Sequence, residues 1–247
     1  MDTPTLEGQV SIVAAMESGN RTVERIFIHH TKKPNRALSF LERQAKRHNV
    51  PVEHVEQEKI DELASGTTHG GAVAMVGERQ YVELANLGAE AKAPFIVMLD
   101  GVEDPFNFGQ AIRAIYAAGA DGLVLRPRNW TTATSVVGRS SAGASEYIPI
   151  AIAETALDAM QHFQERGLKI ACTATRGKTV SIYDADLSQP LFMLIGGEKR
   201  GITRSVLDQA DLLLEIPYAQ AFNQSLGTTA SASILAFEVM RQRKMNA

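Results

Sequence analysis

The chain has 247 residues, a formal net charge of −3 and a hydrophobic fraction of 45%. This supports one large domain or two modest ones with sizeable cores, and it excludes a disordered chain. No apolar run approaches the roughly 18 residues of a membrane span, and the first ten residues lack the basic-then-apolar order of a secretory leader. The single cysteine, Cys172, cannot form an internal disulfide, so a cytoplasmic protein with a buried structural thiol is expected.

In chain order, residues 21–30 (RTVERIFIHH) read as a strand of β-branched and aromatic residues. Residues 35–49 follow as an amphipathic helix with Leu38, Leu41 and Ala45 at helical spacing, bounded by Pro34 and Pro51. Residues 50–55 read as a second strand and residues 58–65 as a short helix. Residues 68–77 (THGGAVAMVG) are a glycine turn leading into a third strand. Charge is segregated along this stretch. Residues 20–50 hold eight cations (Arg21, Arg25, Lys32, Lys33, Arg36, Arg43, Lys46, Arg47) against two Glu, and residues 51–64 hold five acids against Lys59. Such a basic face can hold phosphates, and it can equally be a solvated helix face. The stretch ANLGAEAKAP is small, polar and proline-terminated. The expected organisation is a first domain over residues 1–88, a linker over 89–94 and a second domain over 95–247.

The second part alternates strand and helix. Strands are expected at FIVMLDGV, GLVLRP, KIACTAT, LFMLIGG and DLLLEIPY. Helices are expected at NFGQAIRAIYAAG, ALDAMQHFQERG, TRSVLDQA and TTASASILAFEVMRQRK. Continuous apolar strands between helices predict an α/β fold, a mostly parallel sheet with helices on both faces. Ligands in such sheets sit beyond the carboxyl ends of the strands, which directs attention to the loops after Asp100, Gly196 and Pro217.

Several chemistries are excluded. GKT at residues 177–179 lacks the earlier glycine of a P-loop, because Cys172 stands there. There is no G-x-G-x-x-G after a first strand and no G-x-S-x-G elbow. None of the six histidines pairs with Cys or Glu at metal-ligand spacing, so no metal is expected.

Three loops remain. The first carries Asn107-x-Gly109-x3-Arg113. Ala111, Ile112, Ile115 and Ala118 can pack on the sheet while Arg113 projects from the other side. The second, LIGGEKRGI, carries Gly196-x-Glu198-x-x-Gly201, a glycine turn that offers backbone groups and one carboxylate to a ligand. The third, EIPYAQAFNQSLGTTASASILAFEV, runs from a strand ending at Pro217 into a helix opened by Ser225, Thr228 and Thr229, hydroxyl residues that can cap the helix or bind a ligand.

Taken together, these loops resemble the SpoU/TrmH family of RNA ribose 2′-O-methyltransferases, in the SPOUT superfamily, over about residues 95–239. The preceding part resembles the family's small L30e-like substrate-binding domain, with Gly70 standing in the family's His-Gln-Gly turn in place of Gln. The resemblance implies a trefoil-knotted sheet that holds S-adenosylmethionine, and a homodimer whose active sites span the interface. It implies Arg113, Asn107, Glu198 and Ser225 as catalytic residues. It also implies cofactor contacts at Thr175, Ile195, Gly196, Gly197, Gly201, Ile216, Pro217, Ser225 and Leu226. Arg113 would be the base, or would orient the ribose hydroxyl while an RNA phosphate takes the proton. The third motif departs from the family's Ser-Leu-Asn by carrying Gly227. A non-catalytic RNA-binding relative with the same fold therefore stands as the alternative.

The implied partner is structured RNA, ribosomal or transfer. Between Arg113 and Arg139, four arginines face one acid, Asp121. The stretch RPRNWTTATSVVGRSSAGA is rich in groups that bind phosphate and sugar, and Trp130 could stack on a base. Arg126, Arg128 and Arg139, together with Arg21, Lys32 and Lys33, are the expected RNA contacts.

Overall fold

Two separate sheets organise the chain in the computed structural model, which describes residues 4–30, 36–127, 133–175, 177–197 and 201–245. One compact unit comprises Met1–Gln80 with Asn129–Tyr147, the other Tyr81–Arg128 with Ile148–Ala247.

The first unit opens with β1 (Thr5–Glu7), α1 (Gln9–Ser18), β2 (Val23–His29), α2 (Arg36–Arg47), β3 (Val52–Val55), α3 (Gln57–Leu63) and β4 (Ala72–Val76). Its four strands lie in the order β1-β4-β2-β3, with only β2 and β3 parallel. Helix α2 buries Leu38, Leu41 and Ala45, as their spacing predicts. The sequence pattern gave no sign of β1 or α1. Helix α1 buries the unbroken run from Ser11 to Met16. A helix apolar on most sides carries no helical period to detect.

From Phe95 the chain runs through β5 (Phe95–Asp100), α4 (Pro105–Ala117), β6 (Gly122–Leu125), α5 (Thr134–Ser140), α6 (Ala144–Tyr147), β7 (Ile150–Ile152), α7 (Ala156–Glu165), β8 (Lys169–Thr173), β9 (Val180–Ser181), β10 (Leu191–Gly196), α8 (Arg204–Leu207), β11 (Leu212–Glu215) and α9 (Thr228–Met245). The second unit's seven strands lie in the order β7-β6-β5-β10-β8-β11-β9, every pair parallel. All five expected strands are present. The additional β7 and β9 span three and two residues, too short to show a pattern. The core includes Ile96, Met98, Leu194 and the stacked rings of Phe163 and Phe192, 4.5 Å apart.

Two divisions differ from the expected ones. Residues 81–94 sit with the second unit rather than forming a domain tail and a linker. The Val82 N–H donates to the Ile150 carbonyl at 2.9 Å. Leu87 is fully buried, so close to Gly122 that a Cβ there would lie 2.5 Å from its methyl carbon. The second difference is α5 and α6, for which no helix was expected and which belong to the first unit although they follow residue 95. Small residues permit this packing. A Cβ at Gly138 would lie 2.9 Å from Leu6, and one at Gly143 would lie 2.7 Å from Ala14.

The final helix α9 packs against α4. Near its end Arg243 donates to the carbonyls of Ala93, Pro94 and Gln189 and lies 5.5 Å from the Phe95 ring centroid. Burial pulls its pKa below the ordinary arginine value. Gln242 donates to the carbonyls of Ile182 and Ala185 and accepts from the Leu187 N–H. One helix thereby fixes the chain ahead of both β5 and β10.

Inside the first unit, Arg21 Nε lies 2.8 Å from Glu146 Oε2 and Arg79 lies 3.5 Å from the same oxygen, all with side chains less than a tenth exposed. Removing one partner of a buried pair leaves the other charge uncompensated. Glu146→Ala should therefore destabilise the protein by about 3–5 kcal/mol in urea unfolding. A loss below about 1 kcal/mol would mean that the pair behaves as a hydrated surface contact.

Candidate active site

The β5–α4 connection is built around capping. Gly101 takes φ +79°, which favours glycine. The Asp104 carboxylate then accepts the Asn107 N–H at 2.7 Å, with Pro105 in the first turn. The helix therefore begins at Pro105. Asn107 and Gly109 lie within it, as expected, and the helix starts two residues before the expected Asn107, a start that Asp104-Pro105 signals in the sequence. Phe108, Gly109, Ala111, Ile112 and Ile115 are buried, and Arg113 and Phe106 are exposed. Arg113 stands about two turns into the helix, and no described residue holds its guanidinium. The Asn107 carbonyl accepts the Thr229 hydroxyl at 3.2 Å, which ties the first motif to the third.

At the end of β10 the constraint is steric. The register aligns Gly196 with Asp100, and the Gly197 N–H donates to the Asp100 carbonyl at 2.7 Å. A Cβ at Gly197 would sit 2.1 Å from the Gly101 carbonyl oxygen, and one at Gly196 would sit 3.0 Å from the Gly201 backbone. The turn folds back on itself, with the Gly201 N–H donating to the Gly197 carbonyl at 3.0 Å and Gly201 at φ +61°. The Gly196 N–H donates to the Thr173 hydroxyl at 3.2 Å, linking β10 to β8. Ile195 is buried, and Thr175 is exposed past the end of β8.

The third loop leaves β11 through Ile216, half-buried, and Pro217, exposed. The Tyr218 hydroxyl accepts the Leu226 N–H at 3.0 Å and closes the loop on itself. Tyr218 and Phe222 have ring centroids 6.1 Å apart, and both rings are substantially exposed. Ser225 is exposed and Leu226 half-buried. The Ser231 N–H donates to the Gly227 carbonyl, so α9 starts at the point where the family pattern carries Asn.

The parallel sheet thus sets the expected cofactor residues at the carboxyl ends of adjacent strands. Gly196 ends β10 and Gly197 follows it, Thr175 follows β8, and Ile216 and Pro217 follow β11. Their fit to an adenosine-type ligand rests on the glycine turn. Side-chain-free backbone at Gly196, Gly197 and Gly201 lies beside the apolar Ile195, a combination suited to amide recognition and base packing. Three residues that shape the site escaped the sequence reading: Asp100, Thr173 and Tyr218. Only Asp100 had a signal, an acid closing the apolar run FIVML. Its Oδ1 is buried and accepts no hydrogen bond from a described residue; Arg126, half exposed, approaches to 3.6 Å.

The expected RNA contacts divide. Arg126 is accessible. Arg21 and Arg139 are not open cations, a correction to the sequence reading. Arg21 is buried on Glu146. Arg139 donates to Glu7 at 2.6 Å and to Thr68 at 2.8 Å, and Glu7 also accepts from Ser65. A buried carboxylate needs such donors, and these arginines supply them. Glu198, Arg128, Trp130, Lys32 and Lys33 lie outside the described residues.

Among the described residues no group of three or more His, Cys, Asp or Glu could hold a metal ion, and no helix is long and apolar enough to cross a membrane. Cys172 lies within β8 and is fully buried, and burial pushes its thiol up to about 12. Below that pH it stays protonated, so Ellman's reagent at pH 8 should leave the native protein unmodified and label it once in denaturant. Rapid native labelling would show that β8 opens. Gly197→Ala should lower stability by at least about 1–3 kcal/mol, the cost of overpacking. An unchanged melting temperature would contradict the contact with Gly101.

Comparison with known proteins extends over most of the chain. The model of the SpoU rRNA Methylase family matches residues 94–237, and that of the RNA 2′-O ribose methyltransferase substrate binding domain matches residues 5–82. The 23S rRNA (guanosine-2′-O-)-methyltransferase RlmB of Shewanella oneidensis is 34% identical over 210 residues, 84% of this chain and 85% of that protein. RlmB of Pseudomonas putida is 31% identical over 244 residues, 96% of each chain. The SpoU methyltransferase AviRb from Streptomyces viridochromogenes, solved in complex with AdoMet, shares the fold. Its TM-score is 0.80 at 22% identity, covering 97% of this chain and 90% of that one.

Proposed function

This chain belongs to the SpoU rRNA Methylase family, and from that membership we infer that it is an S-adenosylmethionine-dependent methyltransferase acting on the 2′-hydroxyl of a ribose in structured RNA, ribosomal or transfer. The observation that carries the reading is the meeting of the three motifs. Gly197 bonds to the end of β5, and Thr229 bonds to Asn107 in α4.

The backbone at Gly196, Gly197, Gly201, Ile216 and Leu226, with Ile195, Thr175 and Pro217 around it, would hold S-adenosylmethionine. When bound, that cofactor supplies an electrophilic methyl group on a sulfonium, whose departure as a neutral thioether needs no acid. The protein's own task is on the other side of the reaction. A ribose hydroxyl is a weak nucleophile and loses its proton as the new O–C bond forms. Guanidinium groups hold their protons in proteins. Arg113 accordingly orients the hydroxyl and a neighbouring phosphate by its fixed fork of donors, and the proton leaves to a phosphate oxygen. Asn107, Glu198 and Ser225 would complete the pocket by hydrogen bonding.

Arg113 faces away from the buried side of α4, beside Phe106, and Phe237 is exposed on α9. This supports a homodimer in which each active site draws Arg113 from the facing copy. The knotted path belongs to the same proposal. Strand β11 lies two places beyond β10, and α9, which follows it, packs against α4 and β10. The first unit, with the family's substrate-binding match, is taken as the L30e-like RNA-binding domain, and the enzyme as cytoplasmic.

Arg113→Ala should abolish methyl transfer to RNA while S-adenosylmethionine binding by calorimetry stays within about threefold, a difference under 1 kcal/mol. Near-normal turnover would remove Arg113 from the mechanism. Absence of cofactor binding in the unmodified protein would favour the non-catalytic RNA-binding relative, the reading that Gly227 supports.

A further inference from the structure

Helix α2 carries a pattern that a solvated basic helix does not need. Its buried residues Leu38, Leu41 and Ala45 face the first unit's core. At about 100° per residue, Arg36, Phe40, Arg43 and Arg47 fall on one line along the opposite side. All four are exposed, and Phe40 keeps 42% of its surface in solvent. No acid lies in that line. The helix's own acid, Glu42, is turned toward His54 at 3.4 Å, and Glu17 beside it accepts from Gln44 at 3.2 Å. The Arg43 guanidinium lies 5.8 Å from the Phe40 ring centroid, within cation–π range.

A single exposed apolar residue is ordinary on a protein surface. An aromatic ring with a guanidinium over it, between two further arginines on the same line, is different. The arginines place positive charge where a phosphate backbone would run, and the ring offers a sequence-tolerant face to a base. A duplex cannot use that face, because its bases are stacked within it.

We propose that the Arg36–Phe40–Arg43–Arg47 line of α2 binds RNA through an unpaired base stacked on Phe40, with the arginines holding the flanking phosphates. The proposal rests on the reading of this protein as an RNA methyltransferase and deepens it. It names the surface by which the first unit selects single-stranded or looped segments over uniform duplex.

The test uses the full-length protein and two fluorescein-labelled RNAs, a hairpin with an adenine-rich loop and a blunt duplex of the same stem. Phe40→Ala and Phe40→Leu should each weaken hairpin binding roughly tenfold, the scale of one lost base stack, while changing duplex binding less than twofold. Phe40→Trp should restore hairpin binding. With 2-aminopurine in the loop, the unmodified protein and Phe40→Trp should quench fluorescence, and the Ala and Leu variants should not. Hairpin affinity that is unchanged in Phe40→Ala, retained in Phe40→Leu, or lost equally with duplex affinity overturns the stacking proposal and leaves the methyltransferase reading standing. If the unmodified protein binds S-adenosylmethionine but neither RNA, the RNA reading falls and the proposal with it.

Discussion

The site depends on the seam between β5 and β10. These strands are adjacent and parallel, in a register that sets Gly196 opposite Asp100. Their carboxyl ends meet so closely that the Gly197 backbone touches Gly101. Any side chain at Gly197 would part the two loops, and with them the first and second motifs. The rest follows from that contact. Helix α4 leaves from the β5 side of the seam, and α9 returns to lie against it. The Thr229 hydroxyl then joins the third motif to the first through the Asn107 carbonyl. Groups distant in sequence are thus positioned by hydrogen bonds to main-chain carbonyls, which tolerate little displacement.

Arginine is used in two ways. Arg21, Arg139 and Arg243 work inside the protein, each satisfying acceptors of more than one segment: a carboxylate and a carbonyl, a carboxylate and a hydroxyl, and three carbonyls. A guanidinium suits this, since its several donors lie in a fixed plane and keep their charge when buried. Arg36, Arg43, Arg47, Arg113 and Arg126 remain accessible. The sequence distinguishes the two groups only where a helical period is visible. On α2 the period separates core positions from the arginine line. Arg21 precedes a strand and has no such guide, and its partner Glu146 lies far along the chain.

The C-terminal helix illustrates a second constraint. Glu238 is buried, and two hydrogen bonds from Arg241 hold its carboxyl below the usual carboxylate range. Gln242 and Arg243 then bind the segments leading into β10 and β5. The helix that closes the site at its N-terminal end therefore anchors the same two strands at its other end.

The sequence by itself determined the parallel sheet, because strands buried on both faces must be continuously apolar, as FIVML, IAC and LFMLI are. It also determined the amphipathic α2 and the three motifs, since glycine, arginine and hydroxyl spacing is local information. It did not reveal α1, whose buried run has no period, or β7 and β9, which are too short to show one. The placement of α5 and α6 was decided only in three dimensions, because Gly138 and Gly143 matter through the partners they admit, Leu6 and Ala14. The same is true of Asp100, Thr173 and Tyr218, ordinary residue types whose importance comes from the backbone groups folded against them. Local pattern fixes which face of an element is apolar. Which element covers that face, and which charge meets which, depends on long-range packing that one strand or helix does not encode.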